Sequence, residues 1–321
     1  MANGINDTSG YTEAFYNAFQ TGYQLVLQEE QDVYAGKVSV DTLEGEYKSY
    51  DFIGTIDLDD KETRFEDIPI EDMEHTKRWM YPKWSRKGIF MDSEDEVALH
   101  TDPTGSYIQS LAKGVMRKKN DRIHAAWFAS VTGGKNPGDS THSFVDTAFT
   151  TTAGTGGRTI VHDARKDYST GGVSTGLSVE KLILAREALL QLKNNPNQKM
   201  YIGVNPRNIS DLVREAVTQS IDTSEVRSLA AGTISKYSGF EFVIDYNITI
   251  GSSNDIDADT NVYECPVWVK EAMLYAQHQG PIIKVDWIPR KQIWQLSARV
   301  GQNAIRMDED KVLKIECAAV A

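Results

Sequence analysis

Apolar residues return at three- and four-residue intervals along DPTGSYIQSLAKGVMRKKNDRIHAAWFASVTGG, residues 102–134. Ile108, Leu111, Val115, Ile123 and Trp127 share one stripe, Asp102 is placed as N-cap, Pro103 as first helical residue, and no breaker intervenes before Gly133 and Gly134. The pattern predicts one helix of about 40 Å at 1.5 Å per residue. Across its middle runs Arg117, Lys118, Lys119 and Arg122, a positive stretch beside a stripe built to bury.

Upstream, TEAFYNAFQTGYQLVLQEE from Thr12 gathers Phe15, Phe19, Tyr23, Val26 and Leu27 on one helical face, which needs a surface to dock on. Residues 33–58 are rich in Val, Tyr, Ile and Phe with Gly at turn positions, predicting extended, hairpin-like structure. Residues 57–75, DLDDKETRFEDIPIEDMEH, set nine acids against Lys61 and Arg64 without a helical period. A solvated loop and an arm reaching a basic patch both fit that pattern. Residues 132–176, dominated by Gly, Thr, Ser and Asp, read as strands and long surface loops, with a domain boundary near Gly176. Ser178 caps a helix VEKLILAREALLQLK, stopped at Asn194, Asn195 and Pro196. KMYIGV then reads as a strand, RNISDLVREAV as a helix, GFEFVIDYNITI as a strand and VWVKEAMLYAQH as a helix ended by Gly280 and Pro281. PIIKVDWIP, QIWQLSARV and KVLKIECA close the chain as strands. Helices and strands mix without βαβ alternation, so a doubly wound sheet is not expected.

Composition narrows the function. With 321 residues, 40% apolar and 25% charged, the chain is an ordinary globular sequence of about two domains. Its net charge of -12 argues against a protein whose main task is gripping nucleic acid. Cys265 and Cys317, the two cysteines, lie in apolar surroundings and are expected as buried free thiols in a reducing compartment. The first twenty residues lack the basic start and apolar core of a secretory signal, and no apolar run reaches the length of about 18 residues that spans a bilayer. Gly172–Gly176, GVSTG, satisfies G-x-S-x-G with Ser174 as nucleophile, but the buried strand that must precede such an elbow is replaced by polar RKDYSTG. SVTGGKNPG lacks the spacing of a phosphate loop, and TAGTGGRTI has Thr159 where a dinucleotide fingerprint needs glycine. The six histidines are scattered with no pair at ligand spacing, so neither metal nor cofactor is expected. Reaching segments without a catalytic constellation point to an assembly protein.

The order of features in TKRWMYPKWSRKGIFMDSEDEVALHTDPTGSYIQSLAKGVMRKKNDRIHAAWFASVTGG, residues 76–134, carries a resemblance. A basic cluster, a proline, the acidic DSEDEV, an Asp-Pro, a tyrosine and an R-x-x-x-D within the helix resemble the major capsid proteins of tailed bacteriophages with the Hong Kong 97-type fold. Weaker similarity runs through TEAFYNAF, SGFEFVIDYN and SARVGQNAIRMDEDKVLKIEC. The resemblance implies an α+β fold: an amino-terminal arm at 1–32, an extended loop region at 33–75, a discontinuous peripheral domain at 76–176 and 271–321 around the long spine helix, and an axial domain at 177–270. It implies self-assembly of pentamers and hexamers into an icosahedral shell around double-stranded DNA, in a virion built in the host bacterial cytoplasm. A separate scaffolding protein, a portal and room for a decoration protein are implied as partners, without membrane or sequence-specific DNA contact. Candidate contacts between copies are Phe15, Phe19 and Tyr23 of the arm, Asp57, Asp59, Asp60 and Glu62 of the loop, and Arg117, Lys118, Lys119 and Arg122 of the helix. Competing readings are a nanocompartment shell of the same fold, a tail or connector protein, and a hydrolase using Ser174.

Overall fold

The computed structural model describes residues 32–318 except 55, 57, 59, 61–66, 69, 71, 93–103, 150–156, 162–174, 193, 220–235, 249 and 253–260. The chain runs β1 (Ser39–Thr42), β2 (Lys48–Ile53), β3 (His75–Met80), β4 (Lys83–Asp92), α1 (Thr104–Ala126), β5 (Val131–Gly133), β6 (Ser140–His142) and β7 (Thr159–Ile160). It continues with α2 (Val179–Gln191), β8 (Met200–Val204), α3 (Pro206–Gln219), β9 (Lys236–Tyr237), β10 (Phe240–Ile244), β11 (Ile250–Ser252) and β12 (Asn261–Val269). A 3-10 turn at Lys270–Ala272 leads into β13 (Met273–Ile288), β14 (Ile293–Arg306) and β15 (Val312–Ala318). No helix of the described residues is long and apolar enough to cross a membrane.

Two compact units share these elements. The first contains Asp32, Pro82–Asn120 and Gln277–Gln302; the second contains Val33–Tyr81, Asp121–Ala276 and the chain from Asn303 onward. In the first, β4 pairs antiparallel with β14 along its whole length, and β13 flanks β14 on the other side. Three of the five stripe residues do what the spacing predicts: Ile108, Leu111 and Val115 of α1, with Tyr107, pack with Ile89, Ile283, Leu296 and Ala298, whereas Ile123 and Trp127, the latter beyond the helix end, belong to a separate core.

In the second unit, a seven-stranded sheet runs β7-β15-β12-β8-β10-β9, with β11 paired to β12. Strands β8 and β15 are buried at every position, which explains apolar runs without alternation. The Ser178 hydroxyl accepts the Lys181 N–H at 3.2 Å and starts α2, whose Leu182, Ala185, Ala188 and Leu189 share a core with Ile202, Val204, Phe240, Val267 and Leu313. Cys265 and Cys317 are free thiols in that core, as their surroundings suggest. A third sheet has the order β2-β3-β5-β6.

Four local expectations are corrected. The long helix stops at Ala126, giving 23 residues and about 35 Å, and Val131–Gly133 is a strand. Its end is set by the buried Arg306, whose guanidinium donates to the carbonyls of Trp127 at 2.7 Å and Ala129 at 3.0 Å. VWVKEAMLYAQH is the end of β12, the 3-10 turn and the start of β13; because the apolar runs on either side of exposed Lys270 and Glu271 are buried at every position, they show no alternation and mimic a helical period. Within 33–58 both strands form, but β1 lies beside β13 while β2 pairs with β3, so they are not partners. The stretch 132–176 is not all surface: Phe149 and Ile160 are core residues, and Gly157 is required because a Cβ there would meet the Ala148 carbonyl oxygen at 2.0 Å. The expected helix start at Asp102 and Pro103, and the amino-terminal helix, lie outside the described residues.

Replacing Arg306 by Ala removes the donor to the buried Trp127 carbonyl and to that of Ala129, and strips Glu309 of one cation. It is expected to destabilise the protomer by about 3–5 kcal/mol, read as a fall in the denaturant midpoint.

Candidate assembly interface

Strands β2 and β3 form an antiparallel hairpin from Lys48↔Met80 to Ile53↔His75, and Gly54 continues it by donating to the Glu74 carbonyl at 2.8 Å. The acidic segment is therefore the hairpin's connection. Its root is tied by Asp41, which accepts from Lys48 at 2.6 Å and from the Tyr50 hydroxyl at 2.8 Å. The Lys48 hydrogen bond, then that of Tyr50, holds the Asp41 carboxyl below its usual range despite burial. Beyond the root the apolar side chains turn outward: Leu58 is 94% exposed, Ile68 85% and Ile70 93%. Asp60, Asp67 and Asp72 are exposed among them. Asp57, Asp59, Glu62, the arm residues Phe15, Phe19 and Tyr23, and Ser174 lie outside the described residues.

The basic run of α1 is less available than its charges suggest. Lys119 is paired with Asp32 of its own chain, and Arg117, Lys118, Lys119 and Arg122 are all only partly exposed. Arg117 and Lys118 line a cleft of about 640 Å³ with Lys87, Ile89, Leu111 and Val115.

A further cluster carried no local sequence signal, because its members are far apart in the chain. Tyr34, two residues beyond the first described residue, donates its hydroxyl to the fully buried Asp245, which also accepts from the Asn247 N–H at 2.9 Å and faces His124 Nδ1 at 2.8 Å. The Tyr34 ring lies against Trp127 and Trp268 with centroids at 6.0 and 5.8 Å. Burial pushes the Asp245 carboxyl up, but the His124 hydrogen bond and charge, with Tyr34 and Asn247, outweigh it and leave the group below the ordinary carboxylate range.

A closed apolar interior and a root-anchored hairpin bearing outward apolar and acidic side chains are the features of an assembly protein of the coat class. The chain belongs to the phage capsid protein family, whose sequence model matches residues 11–319. It is therefore a structural, non-enzymatic shell protein, with the α+β Hong Kong 97-type fold. Similar solved structures include the capsid of cyanophage P-SCSP1u, 14% identical over 92% of this chain and 91% of that one, with a TM-score of 0.66. The capsid of Ralstonia phage GP4 is 11% identical over 100% and 98%, TM-score 0.66, and a structure from Mycobacterium phage Che8 is 15% identical over 92% and 96%, TM-score 0.60. No curated protein matches the chain in sequence.

A depressed carboxylate stabilises the fold above its unfolded pKa of about 3.9, and that stability disappears as pH falls through the folded value. Asp245→Asn is therefore expected to lower stability by about 2–3 kcal/mol at pH 7. The deficit against the parent protein should shrink steadily below about pH 4 in paired denaturation curves.

Proposed function

We propose that this chain is the major capsid protein of a tailed phage, tiling as pentamers and hexamers into an icosahedral shell that encloses double-stranded DNA. The observation that carries the reading is the outward display of Leu58, Ile68 and Ile70 on an anchored acidic hairpin, in a chain of the phage capsid family. Fully burying such side chains contributes roughly 1.5–3 kcal/mol each, a gain open to them only against another surface. Residues 1–32 act as an arm and 33–75 include the extended loop. Residues 76–176 with 271–321 form the peripheral domain, and 177–270 gather as the axial domain. Contact residues are Phe15, Phe19 and Tyr23 of the arm, Asp57, Asp59, Asp60 and Glu62 of the loop, and Arg117, Lys118, Lys119 and Arg122 of the helix, with Lys119 first held by Asp32. Assembly takes place in the host bacterial cytoplasm with a separate scaffolding protein and a portal; a decoration protein has room on the finished shell.

Electron microscopy of the concentrated protein is expected to show closed or aberrant shells, and compact single molecules at every concentration would overturn the reading. Replacing Leu58, Ile68 and Ile70 together by Ser should change protomer stability by no more than about 0.5 kcal/mol, since these are exposed positions. The same variant should fail to form particles in the micrographs.

A further inference from the structure

We propose that the cleft between α1 and the outer edge of β4 seats an extended acidic segment of a different protein, which joins the sheet as an added strand. The inference goes beyond the shell reading and does not depend on it. Among the described residues β4 pairs with β14 alone and is the last strand of its sheet, so its outer edge is where a further strand can pair. The cleft beside that edge holds about 640 Å³, within the range of about 300–1,000 Å³ usual for ligand sites.

Register explains the chemistry of the cleft. Ser85 stands opposite Val300, Lys87 opposite Ala298 and Ile89 opposite Leu296, and directly opposed residues project to one face. That face is the one α1 covers, because Ile89, Leu296 and Ala298 pack with Leu111 and Val115. The floor is therefore aliphatic, built from Leu111, Val115, Ala298 and Val300, while Ser110 and Gly114 add little bulk to the α1 wall. The charged residues of the lining are Arg86, Lys87, Arg117 and Lys118, and no acid is among them, although the whole chain carries a net charge of -12. Arg86 and Lys87 are exposed. Alternation sends Lys87 toward α1 and Arg86 to the other side of the strand, so cations flank the edge on both faces.

These features select the occupant. The edge asks for backbone, the floor for apolar side chains at every second position, and the flanking cations for carboxylates between them. Trp84 to Ile89 spans about 16 Å at 3.3 Å per residue, and Ser110 to Lys118 covers about 12 Å of helix, enough for about four or five residues of added strand. Lysine and arginine on this edge keep two copies from pairing β4 to β4, since like charges would meet. The chain's own acidic segment is a poorer strand, because Pro69 takes a backbone donor out of its apolar part. Nucleic acid would meet the cations but leave the aliphatic floor uncovered.

The test is binding of a labelled, capped peptide of alternating Glu and Ile to the full-length chain, followed by fluorescence anisotropy. Raising ionic strength from about 0.1 to 1 M shortens the Debye length from about 10 to 3 Å and should weaken binding about tenfold. Lys87→Glu should weaken it about tenfold and Lys87→Arg by less than about twofold, both with the parent's unfolding midpoint, since position 87 is exposed. Methylating one alternate set of the probe's backbone nitrogens should abolish binding, and methylating the other set should not. A photoreactive group on the probe should label residues 84–89 or 110–118. No binding by the parent, equal binding of a Lys and Ile peptide, indifference to Lys87→Glu or to both methylations, or labelling elsewhere overturns the proposal. So does tighter binding of the 57–75 peptide, which would give the cleft to a second copy, or of an oligonucleotide, which would give it to nucleic acid. Shell formation is read separately in micrographs, and its failure leaves this result standing.

Discussion

A buried positive charge at the carbonyl end of α1 organises the second unit. Arg306 donates to Trp127 and Ala129 beyond the helix, and is paired with Glu309 at 3.4 Å, which in turn holds Arg78 of β3. Arg78 also donates to the Arg306 carbonyl at 2.7 Å, so the projecting hairpin is fastened to the same point as the helix end. Burial pulls the Arg306 guanidinium below the ordinary arginine value, opposed chiefly by Glu309. The negative end of the helix dipole suits the two arginines, and without Glu309 their mutual repulsion would be exposed in a low-dielectric interior. A loop meant to bear load between copies needs such a root, because a root that yielded would absorb the contact energy as local unfolding.

Strand register is guarded by a second polar cluster. Lys314 is buried in β15 and meets Asp146, Glu264 at 3.3 Å and Glu316 at 3.4 Å. Burial disfavours its charge, but Asp146, Glu264 and Glu316 outweigh burial and raise its pKa. A one-residue slip of β15 against β12 would carry Lys314 into the apolar face that now holds Leu313, Ile315 and Cys317. Buried ionic groups here select one pairing of an otherwise featureless apolar strand.

Whatever repeated locally was legible in the sequence. The stripe of Ile108, Leu111 and Val115, the Ser178 cap and the outward acidic segment need only neighbouring residues to be seen, and the structure contains each of them. Residues 272–276 were misread because burial at every position removes the period that distinguishes strand from helix. The end of α1 was misplaced because its terminator is not a nearby glycine but Arg306, 180 positions after Ala126 in the chain. Tyr34, His124 and Asp245 met only through the fold, and Arg86 against Arg299 became a feature only once register was known. In retrospect KWSRKGIF alternates Trp84, Arg86, Gly88 and Phe90 on one face, the signal by which the sheet surface could have been found.

Magnitudes decide how the two kinds of contact divide the work of assembly. Exposed ion pairs contribute at most about 1 kcal/mol each and weaken with salt, whereas three aliphatic side chains driven into an interface contribute several kcal/mol together. On the proposed function, cohesion would come from exposed aliphatic side chains such as Leu58, Ile68 and Ile70, and the carboxylates among them would add selectivity of place. Weak single contacts with sharp register are what a closed lattice requires, since wrongly placed copies must dissociate before repetition makes the whole shell permanent.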